Sequence, residues 1–122
     1  MYQYREVKLT NRSAEKGILV IEFDDPAMQV IGEFLMADGS LLGDTVLQEI
    51  EAIHQGEKQE AQLSGNRCGI VLTKTATTIN DLLLERYEDV TGGPEYTIDT
   101  ETFRKILTEW LEVKSAFYDK KP

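Results

Sequence analysis

The chain has 122 residues, 41% hydrophobic and 29% charged, which fits one domain with one core and excludes wholesale disorder. No apolar run approaches the roughly 18 residues of a membrane span, and the longest, residues 17–21, is strand-sized. The net charge of −9 is concentrated in residues 21–103, where 17 acids face four bases for a net of −13, and a field of that sign argues against nucleic-acid and membrane partners.

Met1-Tyr2-Gln3-Tyr4-Arg5 lacks the apolar segment that follows the basic start of a signal peptide. The single cysteine, Cys68, has no internal disulfide partner, so a cytoplasmic protein is the default expectation. Residues 2–9 alternate in part, with Tyr2 and Tyr4 out of phase with Val7 and Leu9, and predict a strand with an irregularity after Arg5. A polar turn over 10–17 leads to residues 18–23, which are β-branched, apolar on both faces and predict a central strand. After the turn Asp24-Asp25-Pro26-Ala27, residues 28–36 predict a third strand, closed by Asp38-Gly39, a pair suited to a type I′ turn.

From Asp44 the period becomes helical. Val46, Leu47, Ile50 and Ile53 fall at i, +1, +4 and +7, with Asp44 as cap and Gly56 as stop. Residues 59–64 and 67–75 predict a hairpin across Gly65-Asn66, a pair that accepts positive φ. Residues 75–79 continue or restart a strand, and residues 80–85 are open between strand and helix. An acidic loop over 87–95 precedes residues 96–98, which lead into the clearest helix. There Phe103, Ile106, Leu107, Trp110, Leu111 and Phe117 make one apolar stripe, capped by Asp99 or Thr100 and running to about Tyr118.

The predicted order is β-β-β-α-β-β-(β)-α over a single domain, residues 1–122. It describes an α+β fold, an antiparallel sheet with two helices on one face. The expected core comprises Val20, Phe23, Ile31, Phe34, Ile50, Ile53, Val71, Phe103, Leu107 and Trp110.

Chemistry is sparse. His54 and Cys68 are the only residues of their kinds, so neither a zinc ligand set nor a cofactor is expected. A Cys68–His54 catalytic pair would require the hairpin to fold onto the end of the first helix, and a buried thiol with a solvated imidazole is the simpler reading. Gly92-Gly93-Pro94 lacks the Lys-Ser/Thr of a phosphate loop and is flanked by Glu88, Asp89 and Glu95. No catalytic residue is assigned. The candidate partner-binding residues are Glu85, Tyr87, Glu88, Asp89, Glu95 and Tyr96, where rings supply contact area and carboxylates steer a basic protein surface.

The stretch from Tyr96-Thr97-Ile98-Asp99 to Glu109-Trp110-Leu111, an acidic turn followed by a Trp-bearing helix, resembles the end of small acidic immunity proteins of polymorphic and contact-dependent toxin systems. That resemblance implies a non-catalytic inhibitor seated on the basic face of a toxin, often a nuclease. The predicted element order is also similar to type III secretion chaperones, although residues 1–17 do not form the amphipathic helix with which those begin. This second resemblance implies the alternative, a chaperone or subunit acting as a homodimer that hides an apolar face around residues 28–36.

Overall fold

The computed structural model describes residues 2–11, 14–82 and 95–119. Its order is β1 (Tyr2–Asn11), β2 (Ala14–Phe23), a 3-10 turn (Pro26–Met28), α1 (Gln29–His54), β3 (Glu60–Ser64), β4 (Cys68–Thr73), β5 (Ala76–Asp81), β6 (Glu95–Asp99) and α2 (Thr100–Asp119). The fold is α+β as expected. Its strands form two antiparallel sheets, a β1-β2 hairpin and a β3-β4-β5-β6 meander.

The third predicted strand is the first correction. Residues 29–36 open α1, which continues without a break through Asp38-Gly39 and Asp44 to His54. Val30, Ile31, Phe34, Leu35, Asp38, Val46, Ile50 and Ile53 are all buried on its inner side, spaced at helical and not at alternating intervals. Gly39, which reads as a turn residue in the sequence, serves packing, as does Gly43. A β-carbon on Gly39 would stand 3.2 Å from Trp110 Nε1, and one on Gly43 would stand 3.1 Å from Leu111 Cδ2. Each glycine costs the helix about 1 kcal/mol relative to alanine, and in return α2 approaches the α1 backbone closely. The apolar face around residues 28–36 is therefore in the core and unavailable for a homodimer in the way the sequence suggested.

The hairpin is the second correction. Among the described residues β2 is paired on one side only and is not a central strand, and its ladder with β1 runs from Tyr2↔Phe23 to Asn11↔Ala14 with one partner per residue and no bulge. Leu19, Ile21 and Phe23 face the core, whereas Val20 lies on the opposite face and is half-buried. Gln29 fastens the hairpin to α1, its side chain accepting from Phe23 N–H at 3.1 Å and donating to the Ile21 carbonyl at 3.4 Å. The phenols of Tyr2 and Tyr4 both donate to the Glu109 carboxylate, at 2.9 and 2.8 Å, and so fasten the hairpin to α2.

The second half follows the sequence more closely. The hairpin across Gly65-Asn66 forms, and residues 76–81 supply the third strand of the meander. Residues 96–98 belong to a fourth strand, β6, instead of a simple lead-in. Ile70, Leu72, Ile79 and Ile98 point inward, while Gln62, Val71, Thr78 and Thr97 form a cross-strand row on the side away from the core, which leaves Val71 half-buried. Both helix ends behave as their sequences dictate. Gly56, at φ +83°, closes α1 with Glu57 N–H on the Ala52 carbonyl and Gly56 N–H on Ile53, and Asp99 caps α2 by accepting from Thr102 N–H at 2.9 Å. Trp110 is 1% exposed and stacks on Tyr4 at 6.2 Å between ring centres.

Candidate functional site

Asp38 is the one carboxylate on the buried stripe of α1, fully shielded from solvent. It accepts three backbone hydrogen bonds from the β3–β4 turn, from Asn66 N–H at 2.6 Å, Arg67 N–H at 3.2 Å and Cys68 N–H at 2.9 Å. A buried charge is tolerable when its lone pairs are met in this way. Gly65 is required here for space and not for a positive φ, since a β-carbon would fall inside the Asp38 carboxyl group.

Fixing the turn fixes Arg67. Its Nε and Nη2 donate to Asp81 Oδ2 at 3.2 and 3.0 Å, and its Nη1 stands 3.3 Å from Glu33 Oε2 on α1. Burial works against the guanidinium charge, but the Asp81 hydrogen bond and the charges of Glu33 and Asp81 outweigh it and hold the pKa above the ordinary arginine value. Beside this network lies a cavity of about 370 Å³ lined by Pro26, Ala27, Val30, Glu33, Arg67, Asp81 and Glu95 among others. Three carboxylates against one guanidinium leave its lining at a net −2. The cavity has apolar walls and a carboxylate excess, which suits the stem and head of a lysine or arginine side chain.

Of the six residues nominated from sequence, Glu85, Tyr87, Glu88 and Asp89 lie outside the described residues. Glu95 is exposed at the rim of the cavity, and Tyr96, next along β6, is half-buried against the core. Glu33, Arg67 and Asp81 went unnoticed in the sequence, and Asp38 reads there as a turn residue. The available signal was Asp38, a charge in register with the apolar stripe of Val30, Ile31, Phe34 and Leu35. Cys68 is fully buried, and burial first, then the charges of Asp38 and Asp81, pushes its thiol up to about 12. His54 lies 16 residues beyond Asp38 on the same helix, about 24 Å at 1.5 Å per residue, so the two do not meet. Among the described residues no three His, Cys, Asp or Glu side chains are placed so that they could hold a metal ion, and no helix is long and apolar enough to cross a membrane.

Comparison with known proteins gives a relative that matches nearly the whole chain. Over 116 residues, covering 95% of this chain and 91% of the relative, the sequence is 32% identical to a protein of Bacillus cereus named "Immunity protein". No family model matches the chain, and no solved structure matches it.

Proposed function

The chain belongs to the family of the Bacillus cereus immunity protein, and from that premise we propose that it binds a toxin with a basic surface and blocks it stoichiometrically. The observation that carries this reading is the 32% identity extending over nearly the whole of both chains. Two features support the finer part, the basic surface of the partner. Residues 21–103 carry a net −13, and the cavity beside Arg67 holds a carboxylate excess on apolar walls. Acids distributed in this way steer a cationic partner and accelerate encounter, while a seated lysine or arginine would anchor it.

The test is to co-express the chain with the product of each gene that flanks its own and is toxic when expressed alone, and to measure the association rate of the purified pair at rising salt. Protection of growth and a 1:1 complex whose association slows steeply with salt are expected. Reversal at the rim, Glu95→Lys, slows association further. Binding without protection, or a rate indifferent to salt, overturns the reading.

A further inference from the structure

The free edge of the hairpin carries an inference that goes beyond inhibition. Among the described residues β1 has a strand on one side only, and its 10 residues contain neither a bulge nor a proline, two of the devices that blunt an exposed edge. The ladder determines which residues address that edge. Phe23 N–H and Leu19 N–H donate to the Gln29 and Tyr118 side chains, and the Ile21 carbonyl accepts from Gln29, so these three turn their backbone groups away from β1. In an antiparallel pair their partners Tyr2, Glu6 and Tyr4 must do the same in the opposite direction, and by alternation Lys8 and Thr10 join them. The outward-facing row on β1 is therefore Tyr2, Tyr4, Glu6, Lys8 and Thr10.

A second β1 laid antiparallel along this edge can bond only outward-facing residues to outward-facing residues. Centring the pair on Glu6 opposes two glutamates, and centring it on Lys8 opposes two lysines, both unfavourable. Centring it on Val7 sets Glu6 opposite Lys8 of the copy on both sides of the two-fold axis. We propose that the chain self-associates through β1 in this Val7-centred register, joining two hairpins into one four-stranded sheet in the order β2-β1-β1-β2. Val7 shares a face with Ile18 through their direct pairing, so the register creates an apolar row Ile18–Val7–Val7–Ile18 across the join. It also lays Leu9, 50% exposed and one of the most exposed large apolar residues described, against the stem of Arg5 of the copy. Lys8 is free to turn toward the copy because its pairing with Glu15, at 3.5 Å between side chains that are mostly exposed, is weak.

The experiment uses the whole chain and no toxin, so its outcome is independent of the proposed function. Sedimentation equilibrium at micromolar concentration is expected to give twice the 13.8 kDa chain mass. Val7→Cys under mild oxidation is expected to form a disulfide dimer much faster than Thr10→Cys. Directly opposed residues of a non-hydrogen-bonded pair have Cα atoms about 4.5 Å apart, within disulfide range, and buried Cys68 supplies no background. Glu6→Lys and Lys8→Glu should each weaken association by about tenfold, and the combined swap should restore it. A monomer in the wild type, equal cross-linking at positions 7 and 10, or a dimer indifferent to the single reversals overturns the proposal.

Discussion

Asp38→Ala is the perturbation that best tests how the candidate site is held. The carboxylate accepts three backbone N–H groups at 2.6, 3.2 and 2.9 Å. A hydrogen bond to a charged acceptor contributes roughly 1.5–3 kcal/mol net. The Asn66 N–H belongs to an exposed residue and recovers water when the turn loosens, so only the Arg67 and Cys68 donors carry the full loss. Two such losses, reduced by their non-additivity and by relief of the buried charge, give about 3–5 kcal/mol. At 0.05–0.15 kcal/mol per residue, roughly 6–18 kcal/mol holds a chain of this length together, so the variant should be folded but much weaker. Asp38→Asn keeps one acceptor but turns amide hydrogens toward N–H groups, and should cost about 2 kcal/mol. Gly65→Ala displaces the same carboxylate, so its cost should fall in an Asp38→Ala background but not vanish, because the β-carbon retained at position 38 would still stand 2.8 Å from the new one. Urea denaturation followed by Trp110 fluorescence, at constant m, measures all of these. If both Asp38 variants lie within about 1 kcal/mol of wild type, the turn does not depend on this carboxylate.

Trp110→Ala should cost ~3–5 kcal/mol, since it empties the space between α1, α2 and Tyr4. The variant lacks the single tryptophan, so its urea denaturation is followed by far-UV circular dichroism. A loss below about 1 kcal/mol would mean that α2 does not depend on this side chain for its packing. Stability should also fall at high pH. Burial, then the Glu109 hydrogen bond and charge, pushes the Tyr2 phenol from 10.0 up to about 12 and moves Tyr4 in the same direction. The fold thus favours the protonated phenols, and their contribution is complete below pH 10 and lost as pH rises through about 12. Glu109→Gln should flatten that loss in unfolding midpoints measured across the range, and an unchanged slope would refute the assignment.

How much of this was legible depends on what each signal was for. The final helix was readable because its apolar stripe and its cap, Asp99, act locally, as does Gly56 at the end of α1. The β3–β4 hairpin was readable because Gly65 marked the turn, although it is there to make room for the Asp38 carboxylate 27 residues away. The first half of α1 was misread because Gly39 and Gly43 answer to Trp110 and Leu111, 71 and 68 residues further along, and not to their own backbone. Asp38 next to Gly39 looked like a turn for the same reason, since its partners are backbone groups 28 to 30 residues away. The two-sided apolar pattern of β2 was real, but one side meets the core and the other forms the outer face of an arm. Of the candidate site only Glu95 was foreseen. Arg67, Glu33 and Asp81 are unremarkable singly, and only the turn held by Asp38 brings them together.

The charge distribution separates the two proposed contacts. Residues 1–20, which make up all of β1 and most of β2, carry four bases and two acids, against the −13 of residues 21–103. An acid-rich surface repels its own copy, so the cavity beside Arg67 is suited to a cationic partner and unsuited to self-association. β1, with Glu6 and Lys8 two apart, carries both signs and complements itself without attracting a strongly basic chain. The two contacts should therefore respond differently to salt. Toxin association rests on long-range steering and should slow steeply as the Debye length contracts. Strand pairing rests on backbone hydrogen bonds and apolar contact, with only two short-range ion pairs, and should change little. If self-association weakened with salt as steeply as toxin binding, it would rest on long-range charge attraction and not on strand pairing, and its assignment to β1 would fail.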